Sequence, residues 1–450
     1  MERLKEVYQY IEDHQDRYIH WLQELCRQPS VSAQNRGMEE CAQLVSSYLQ
    51  HICASPEQIS TPGYPVIYGE INENQSRTLS FYNHYDVQPE DPMDQWTNDP
   101  FAANIQDGRM WARGVADNKG SLLSRICAVD AYQQVHGKLP INVKFIIEGE
   151  EEIGSPNLGD FAEKYKEKIK ADACIWENGY KNTDGSLQVR LGVKGMLYLK
   201  LQVQGANTDM HSSNAAIIPN PAWRLVWALS TLKDENEKIL IPGFYDGVQA
   251  PNESENQLLE DMVYQEHETL KQLGLNEFLL SLSGNALKEK LLFQPTCTIC
   301  GMESGYTGDG SKTVLPSMAK AKVDFRLVGN QDPKDILQKV RQHLDNHGFE
   351  DIAITTYVAE HPAKTDIDAD IVRTVVDNVA SVYGVPPQVQ RTGAGTGPMY
   401  VACQKFGIPA VGFGVGHVAS NQHAPNENIF VNDFIQGIKF AALVMHQFAE

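Results

Sequence analysis

Apolar residues recur every three to four positions at the start of the chain. Leu4, Val7, Tyr8, Ile11, Ile19, Leu22 and Leu25 share one face, so the spacing predicts a helix over 1–27, broken by Pro29-Ser30-Val31-Ser32. Met38, Cys41, Val45, Leu49 and Ile52 repeat the period and predict a second helix over 38–52. Strands are expected near 64–70 and 78–84, a helix near 119–135, a buried strand over 141–147 and a helix near 158–168. Residues 171–177 read as one more strand, ending in an acid. This alternation of strand and helix implies an α/β domain with a mostly parallel sheet.

The period changes near 188. Leu197, Leu199, Leu201 and Val203 alternate with Tyr198, Lys200, Gln202 and Gln204, the pattern of a strand with one wet face. Asn220-Pro221 opens a helix expected to turn Trp223, Val226, Trp227 and Leu229 inward. Ala321, Val323, Phe325 and Leu327 alternate again, a helix over 333–347 stops at Gly348, and a strand over 351–358 follows. Strand, helix, strands, helix, strand reads as a ferredoxin-like α+β sandwich. Residues 236–292 form an extra insertion of mixed helical character, rich in Glu and Asn. From 364 the first pattern returns, with a helix over 368–383, a glycine-rich run at 393–398, a strand at 410–413 and a last helix opened by Asn432. A domain over 188–363 therefore interrupts one made of 1–187 and 364–450.

Composition narrows the partners. A chain of 450 residues has room for two or three domains, and 42% apolar with 21% charged residues is ordinary for a soluble globular protein. A net charge of −20 argues against nucleic acid and anionic membrane surfaces. No apolar run reaches the roughly 18 residues of a membrane span, and Met1 to Glu6 holds no apolar signal core. The eight cysteines are scattered and several fall inside apolar patterns, as reduced core thiols do. Cys297 and Cys300 have no second pair nearby and lie in a strand pattern, which argues against a zinc knuckle. A cytoplasmic compartment is expected.

Three stretches between 79 and 155 carry candidate chemistry. His84 and Asp86 close an apolar run; residues i and i+2 of a strand face the same side, so both can aim at one point. Asp117 stands before Lys119-Gly120 and the apolar helical positions Leu122, Leu123, Ile126, Val129 and Tyr132, which puts its carboxylate at a helix entrance. Glu151 and Glu152 follow the buried strand and, as neighbours, point different ways, so one can bind a metal while the other handles protons. Taken singly, these are a surface pair, a helix N-cap and a solvated acidic loop. Taken together, imidazole and carboxylate at strand ends suggest a hydrolytic metal site. Such ligands fit zinc, at roughly 2.0–2.2 Å per bond, and tolerate cobalt or manganese.

The runs His84-Tyr85-Asp86-Val87-Gln88-Pro89, Arg113-Gly114-Val115-Ala116-Asp117-Asn118-Lys119-Gly120 and Glu148-Gly149-Glu150-Glu151-Glu152-Ile153-Gly154-Ser155 resemble the zinc exopeptidase family of cytosolic nonspecific dipeptidase and carnosinase. Peptidase V, succinyl-diaminopimelate desuccinylase, aminoacylase-1 and carboxypeptidase G are more distant relatives. The resemblance covers nearly the whole chain. It implies a catalytic domain interrupted by a lid that also forms a homodimer contact, and two zinc ions per chain. The implied ligands are His84, Asp117 bridging both ions, Glu152, Glu177 and His423 in Ser420-Asn421-Gln422-His423-Ala424-Pro425-Asn426-Glu427. Glu177 stands where dipeptidases of this group use Asp. Glu151 is the implied general base acting on a hydroxide shared by the zincs, and Asp86 fixes the His84 tautomer from behind. In the lid, His211 is implied as an oxyanion donor reaching the partner subunit's site, with Ser213 where many relatives have Gly. Arg326 is implied as the clamp on a substrate carboxylate, and Thr313 and Thr396 as further substrate contacts.

The expected activity is hydrolysis of dipeptides or short peptides. An N-acyl amino-acid deacylase on the same scaffold would cleave the same amide with a different acyl group. A binding protein that keeps the fold without catalysis would have no need of Glu151.

Overall fold

The computed structural model describes residues 2–52 and 54–450; Met1 and Cys53 lie outside the described residues. The chain divides into two compact units, one of 1–192, 364–391 and 398–450, the other of 193–363 and 392–397. The boundary expected at 188 falls after Gly192, because Gln188–Arg190 pairs in the large sheet with Gln388–Gln390. Residues 392–397, expected with the α/β part, group with the inserted unit: Gly395 accepts from the Lys194 N–H and Thr396 from Arg326.

The first unit is built on an eight-stranded sheet. Its order is Glu57–Ile59, Val66–Ile71, Asn142–Glu148, Thr78–His84, Ala173–Trp176, Ala410–Gly412, Gln188–Arg190, Gln388–Gln390. Val66–Ile71 runs antiparallel to both its neighbours and Gln188–Arg190 antiparallel to Ala410–Gly412, while the four strands between them are parallel. Thr78–His84 is buried along nearly its whole length, as a strand covered on both faces must be. Helices Gly120–His136 and Val431–Phe448 belong to the same core, and Leu122, Ile126, Val129, Phe434, Ile438 and Leu443 are buried there.

The helix expected over 1–27 is two helices, Glu2–Asp13 and Gln15–Arg27, parted at His14, whose backbone leaves the helical region. The apolar spacing runs through the break, so the period alone shows a single helix. The helix expected near 158–168 is likewise parted at Tyr165, into Leu158–Lys164 and Lys166–Ile169.

The second unit holds a four-stranded antiparallel sheet in the order Thr296–Ser304, Met318–Leu327, Gly195–Gln204, Ala353–Glu360, with helices Pro221–Ser230 and Pro333–Asn346. This is the ferredoxin-like arrangement. Leu197, Leu199, Leu201, Val323, Phe325 and Leu327 fill its core with Leu225 and Val340. One expectation fails here. Trp223, Val226 and Trp227 face solvent, at 58%, 39% and 54% exposure, and the buried stripe of that helix is Pro221, Leu225, Ala228 and Leu229. The helix is apolar on both sides, so periodicity could not say which face packs. The 236–292 insertion forms helices Glu253–Asp261, Glu266–Leu273 and Gly284–Phe293. No helix among the described residues is long and apolar enough to cross a membrane.

Candidate active site

Three parallel strands of the first unit end side by side, and each end delivers an acid or an imidazole. His84 is the last residue of its strand, in register with Glu148 on one neighbour. Glu151 and Glu152 lie in the turn just after Glu148, and Glu177 follows Trp176 on the other neighbour. The carboxyl edge of a parallel sheet is where α/β folds gather their ligands. Asp117 comes from the turn before helix Gly120–His136, where the Asp117–Asn118 peptide is cis. His423 lies on a loop that holds it at φ 57, between Asn421 at φ 54 and Asn426 at φ 60. Left-handed backbone at three non-glycine residues is costly and concentrates at functional loops.

His84 Nε2 lies 3.1 Å from Asp117 Oδ1 and 3.8 Å from Glu177 Oε2. His423 Nε2 lies 3.2 Å from Asp117 Oδ2 and 3.1 Å from Glu152 Oε2. The two oxygens of Asp117 thus face two groups, His84 with Glu177 and His423 with Glu152. One ligand atom each from His84, Asp117 and Glu152 lie within 4.8 Å of one another. Glu151 Oε2 stands 4.0 Å from His84 Nε2. Asp86 is fully buried. Its Oδ1 accepts from the Glu151 N–H at 3.2 Å and its Oδ2 from the Glu152 N–H at 3.0 Å, while His84 Nδ1 is 3.1 Å from its backbone carbonyl and 3.4 Å from Oδ1.

The electrostatics ask for a cation. Five carboxylates, Asp86, Asp117, Glu151, Glu152 and Glu177, crowd two imidazoles. Burial raises the Glu151 carboxyl well above its ordinary value, and the Glu177 charge adds to this. Burial also raises Glu152, and pushes Glu177 up to about 7. His423 rises to about 10 through its bonds to Asp117 and Glu152. His84 rises well above the imidazole range: burial opposes this, but its bonds to Asp117 and Asp86 outweigh it. Asp117 is lowered, against its burial, by the bonds from His423 and His84. Glu152 Oε1 and Glu177 Oε2 are buried without a hydrogen-bond partner, and an unpaired buried carboxylate oxygen is strongly unfavourable. The donor set therefore fits a divalent metal with N and O preference.

The inserted unit holds the other candidates in two groups. His211 is exposed; Thr313 Oγ1 is 3.1 Å from its Nε2, and Ser213 holds its Nδ1 from the hydroxyl at 2.9 Å and the N–H at 3.1 Å. Arg326 donates from Nη1 to Thr396 Oγ1 at 2.8 Å and from Nε to Asp324 Oδ2 at 3.1 Å.

The sequence model of peptidase family M20/M25/M40 matches residues 80–447, a span that contains every site residue above. The chain belongs to this family. Among its relatives, the mouse Beta-Ala-His dipeptidase is 29% identical, over 98% of this chain and 95% of that protein. The Cys-Gly metallodipeptidase dug1 of Schizosaccharomyces pombe is 27% identical, over 99% and 98%. The crystal structure of an M20 family metallo-carboxypeptidase, Sso-CP2 from Sulfolobus solfataricus, matches with a TM-score of 0.93 at 40% identity, over 96% of this chain and 99% of that one. The protein is accordingly an enzyme, a metal-dependent amide hydrolase of the peptidase class.

Several residues that shape this M20 site escaped the sequence reading. Glu427 is buried and accepts from the N–H groups of Gly114, Ala116 and Asp117, at 2.8, 2.8 and 3.0 Å, and from Arg113 Nη1 at 2.8 Å. It ties the loop of His423 to the turn of Asp117. Asn178 Nδ2 donates to Asp117 Oδ1 at 2.8 Å, and Gln88 Nε2 to Glu152 Oε2 at 3.0 Å. Arg125, fully buried, donates to the carbonyls of Trp176, Glu177 and Phe413 and so steadies the strand end under Glu177. Glu427 and Gln88 left a trace in sequence, as members of the His423 and His84 runs.

Proposed function

We propose that this protein is a dipeptidase that also accepts short peptides, works with two divalent ions, and uses Glu151 as general base. The observation that carries the reading is the division of the Asp117 carboxylate between His84 with Glu177 and His423 with Glu152. Those five side chains would hold zinc, or manganese or cobalt in its place. Bound ions of this kind acidify a water and polarise a carbonyl oxygen. Glu151 takes a proton onto its carboxylate and returns it to the leaving amine. Asp86 orients Glu151 and Glu152 through their backbone N–H groups.

In this reading Arg326, fixed by Asp324 and Thr396, binds the substrate carboxylate through its guanidinium fork. His211 and Thr313 serve the substrate carbonyl, with His211 supplied by the partner of a homodimer. The exposed Trp223, Trp227, Ile299 and Met302 give the inserted unit an apolar surface suited to such a contact. The seven described cysteines are all free, as a cytoplasmic protein keeps them.

The test pairs metal analysis with kinetics on acid and amide substrates. About two ions per chain are expected, with loss of activity on chelation. Arg326→Ala is expected to raise KM strongly for a dipeptide, while a C-terminally amidated dipeptide is poor for the wild type and loses little more. Active protein with well under one ion per chain contradicts the metal reading. Equal losses on acid and amide contradict the clamp.

A further inference from the structure

The inserted unit contains a cavity of about 310 Å³ whose wall includes Arg326. Phe278, Leu282, Leu287 and Leu291 line it, all from the 236–292 insertion. Thr296, also on the wall, sits directly across the strand pair from Arg326, so the apolar surface and the guanidinium share one stretch of sheet.

The charge of the cavity is lopsided. Lys233 is neutralised by Glu237 at 2.6 Å, and Arg326 is shared with Asp324. Lys194 and Lys290 also line the wall, and neither is in an ion pair with a carboxylate among the described residues. Lys194 is 3% exposed, and its Nζ donates to the Gln294 carbonyl at 2.6 Å. A lined hydrophobic space with surplus positive charge asks for an occupant that is both apolar and anionic. The rim asks for the same. Leu279 on the wall and its neighbour Leu280 stand 55% and 51% exposed, and Leu280 and Ser281 are held at φ 54. Exposed leucines on a strained loop are surface that a ligand would cover.

We propose that this cavity receives the side chain of the substrate residue that bears the free carboxylate, and that it selects large apolar side chains, leucine or phenylalanine, over glycine. The proposal rests on the dipeptidase reading with Arg326 as the carboxylate clamp. An amino-acid residue with a free carboxylate places an anion and an aliphatic or aromatic group a few atoms apart, which matches this wall. A lysine side chain would meet Lys194 and Lys290. A glutamate side chain would satisfy those lysines but leave the four apolar residues wet.

The experiment measures kcat/KM of the metal-loaded full chain for Ala-Leu, Ala-Phe, Ala-Gly, Ala-Glu and Ala-Lys. Ala-Leu and Ala-Phe are expected to exceed Ala-Gly by about 10- to 100-fold, the usual worth of filling an apolar pocket. Leu282→Asn is expected to cut the Leu/Gly ratio at least about fivefold; Phe278→Ser serves if that variant does not fold. A second arm, free of turnover, titrates the protein with N-acetylleucine and N-acetylglycine by calorimetry, with the leucine compound expected to bind more tightly. Equal kcat/KM for all five substrates, a preference for Ala-Glu, or a ratio unmoved by the variants overturns the proposal. Should no dipeptide be hydrolysed, the dipeptidase reading falls, and the calorimetry then decides the cavity alone: tighter N-acetylleucine upholds it, and equal binding overturns it.

Discussion

Glu151 and Glu152 are neighbours in the chain with different surroundings. Glu152 Oε2 meets His423 at 3.1 Å, whereas Glu151 stands 4.0 Å from His84 and close to the Glu177 charge. Glu151→Gln is therefore expected to keep metal and fold while turnover falls by about 10²–10⁴, the worth of a general acid–base group. Glu152→Gln is expected to lose metal. Metal analysis beside kinetics checks both, and the reverse pattern would contradict the assignment. At this scale the sequence was informative wherever a short run kept its residues together: His84 with Asp86, Asp117 before its helix, the Glu151–Glu152 pair. It was silent on Asp86 as acceptor for two backbone N–H groups 65 and 66 residues away. No spacing rule links a carboxylate to an amide that the fold brings to it.

Elements show the same limit. Loops carry much of the site, and they are held by contacts no period reveals. The Glu427 carboxylate joins the loop of His423 to the turn of Asp117 through three N–H groups and Arg113, with Glu427 and Arg113 both 1% exposed. Removing one partner of a buried ion pair leaves the other uncompensated, at about 3–5 kcal/mol. Glu427→Ala is expected to lose stability on that scale in urea and to bind metal more weakly in chelator competition; unchanged values of both would show that the two loops stand independently. A second prediction concerns the strand that opens the inserted sheet. Lys194 lies just before Gly195–Gln204, and burial pushes its ammonium down to about 8, with Arg326 and Lys290 adding repulsion. An unfolded lysine titrates near 10.4. Below about pH 8 both states hold the proton, and the folded state bears the full penalty. From about 8 to 10.4 the unfolded chain binds more protons, so this group makes stability rise with pH. Lys194→Met is expected to remove that rise, read as a smaller gain, or a larger loss, in Tm between pH 7.5 and 9.5 than in the wild type. Alternation fixed the two central strands of this sheet, Gly195–Gln204 and Met318–Leu327, since one face of each is core. It failed on helix Pro221–Ser230, whose tryptophans lie outside the core.

For the whole molecule, the interruption of one domain by another was legible because the strand pattern switches from buried runs to clean alternation and back. That Trp223 and Trp227 lie outside the core was not, since a partner surface and a core look alike in sequence. The homodimer reading gives those residues a role, and it makes a claim about His211 that can be tested. Every metal-ligand candidate belongs to the α/β unit, whereas His211 belongs to the inserted one, exposed, with Thr313 and Ser213 fixing its ring. An isologous dimer in which each inserted unit serves its partner has two identical shared sites. Loss of one oxyanion donor costs about 10²–10³ in kcat, so His211→Ala is expected to fall by that factor. Glu151→Gln is expected to fall by its own factor for a different reason. When the two inactive proteins are mixed under conditions that exchange subunits, a mixed dimer holds one site in which both residues are wild type. Activity is then expected to climb toward a quarter of the wild-type value, since about half the dimers are mixed and each has one intact site of two. A mixture no more active than its parents, with exchange demonstrated by tagged subunits, would mean that His211 acts within its own chain or takes no part in the reaction.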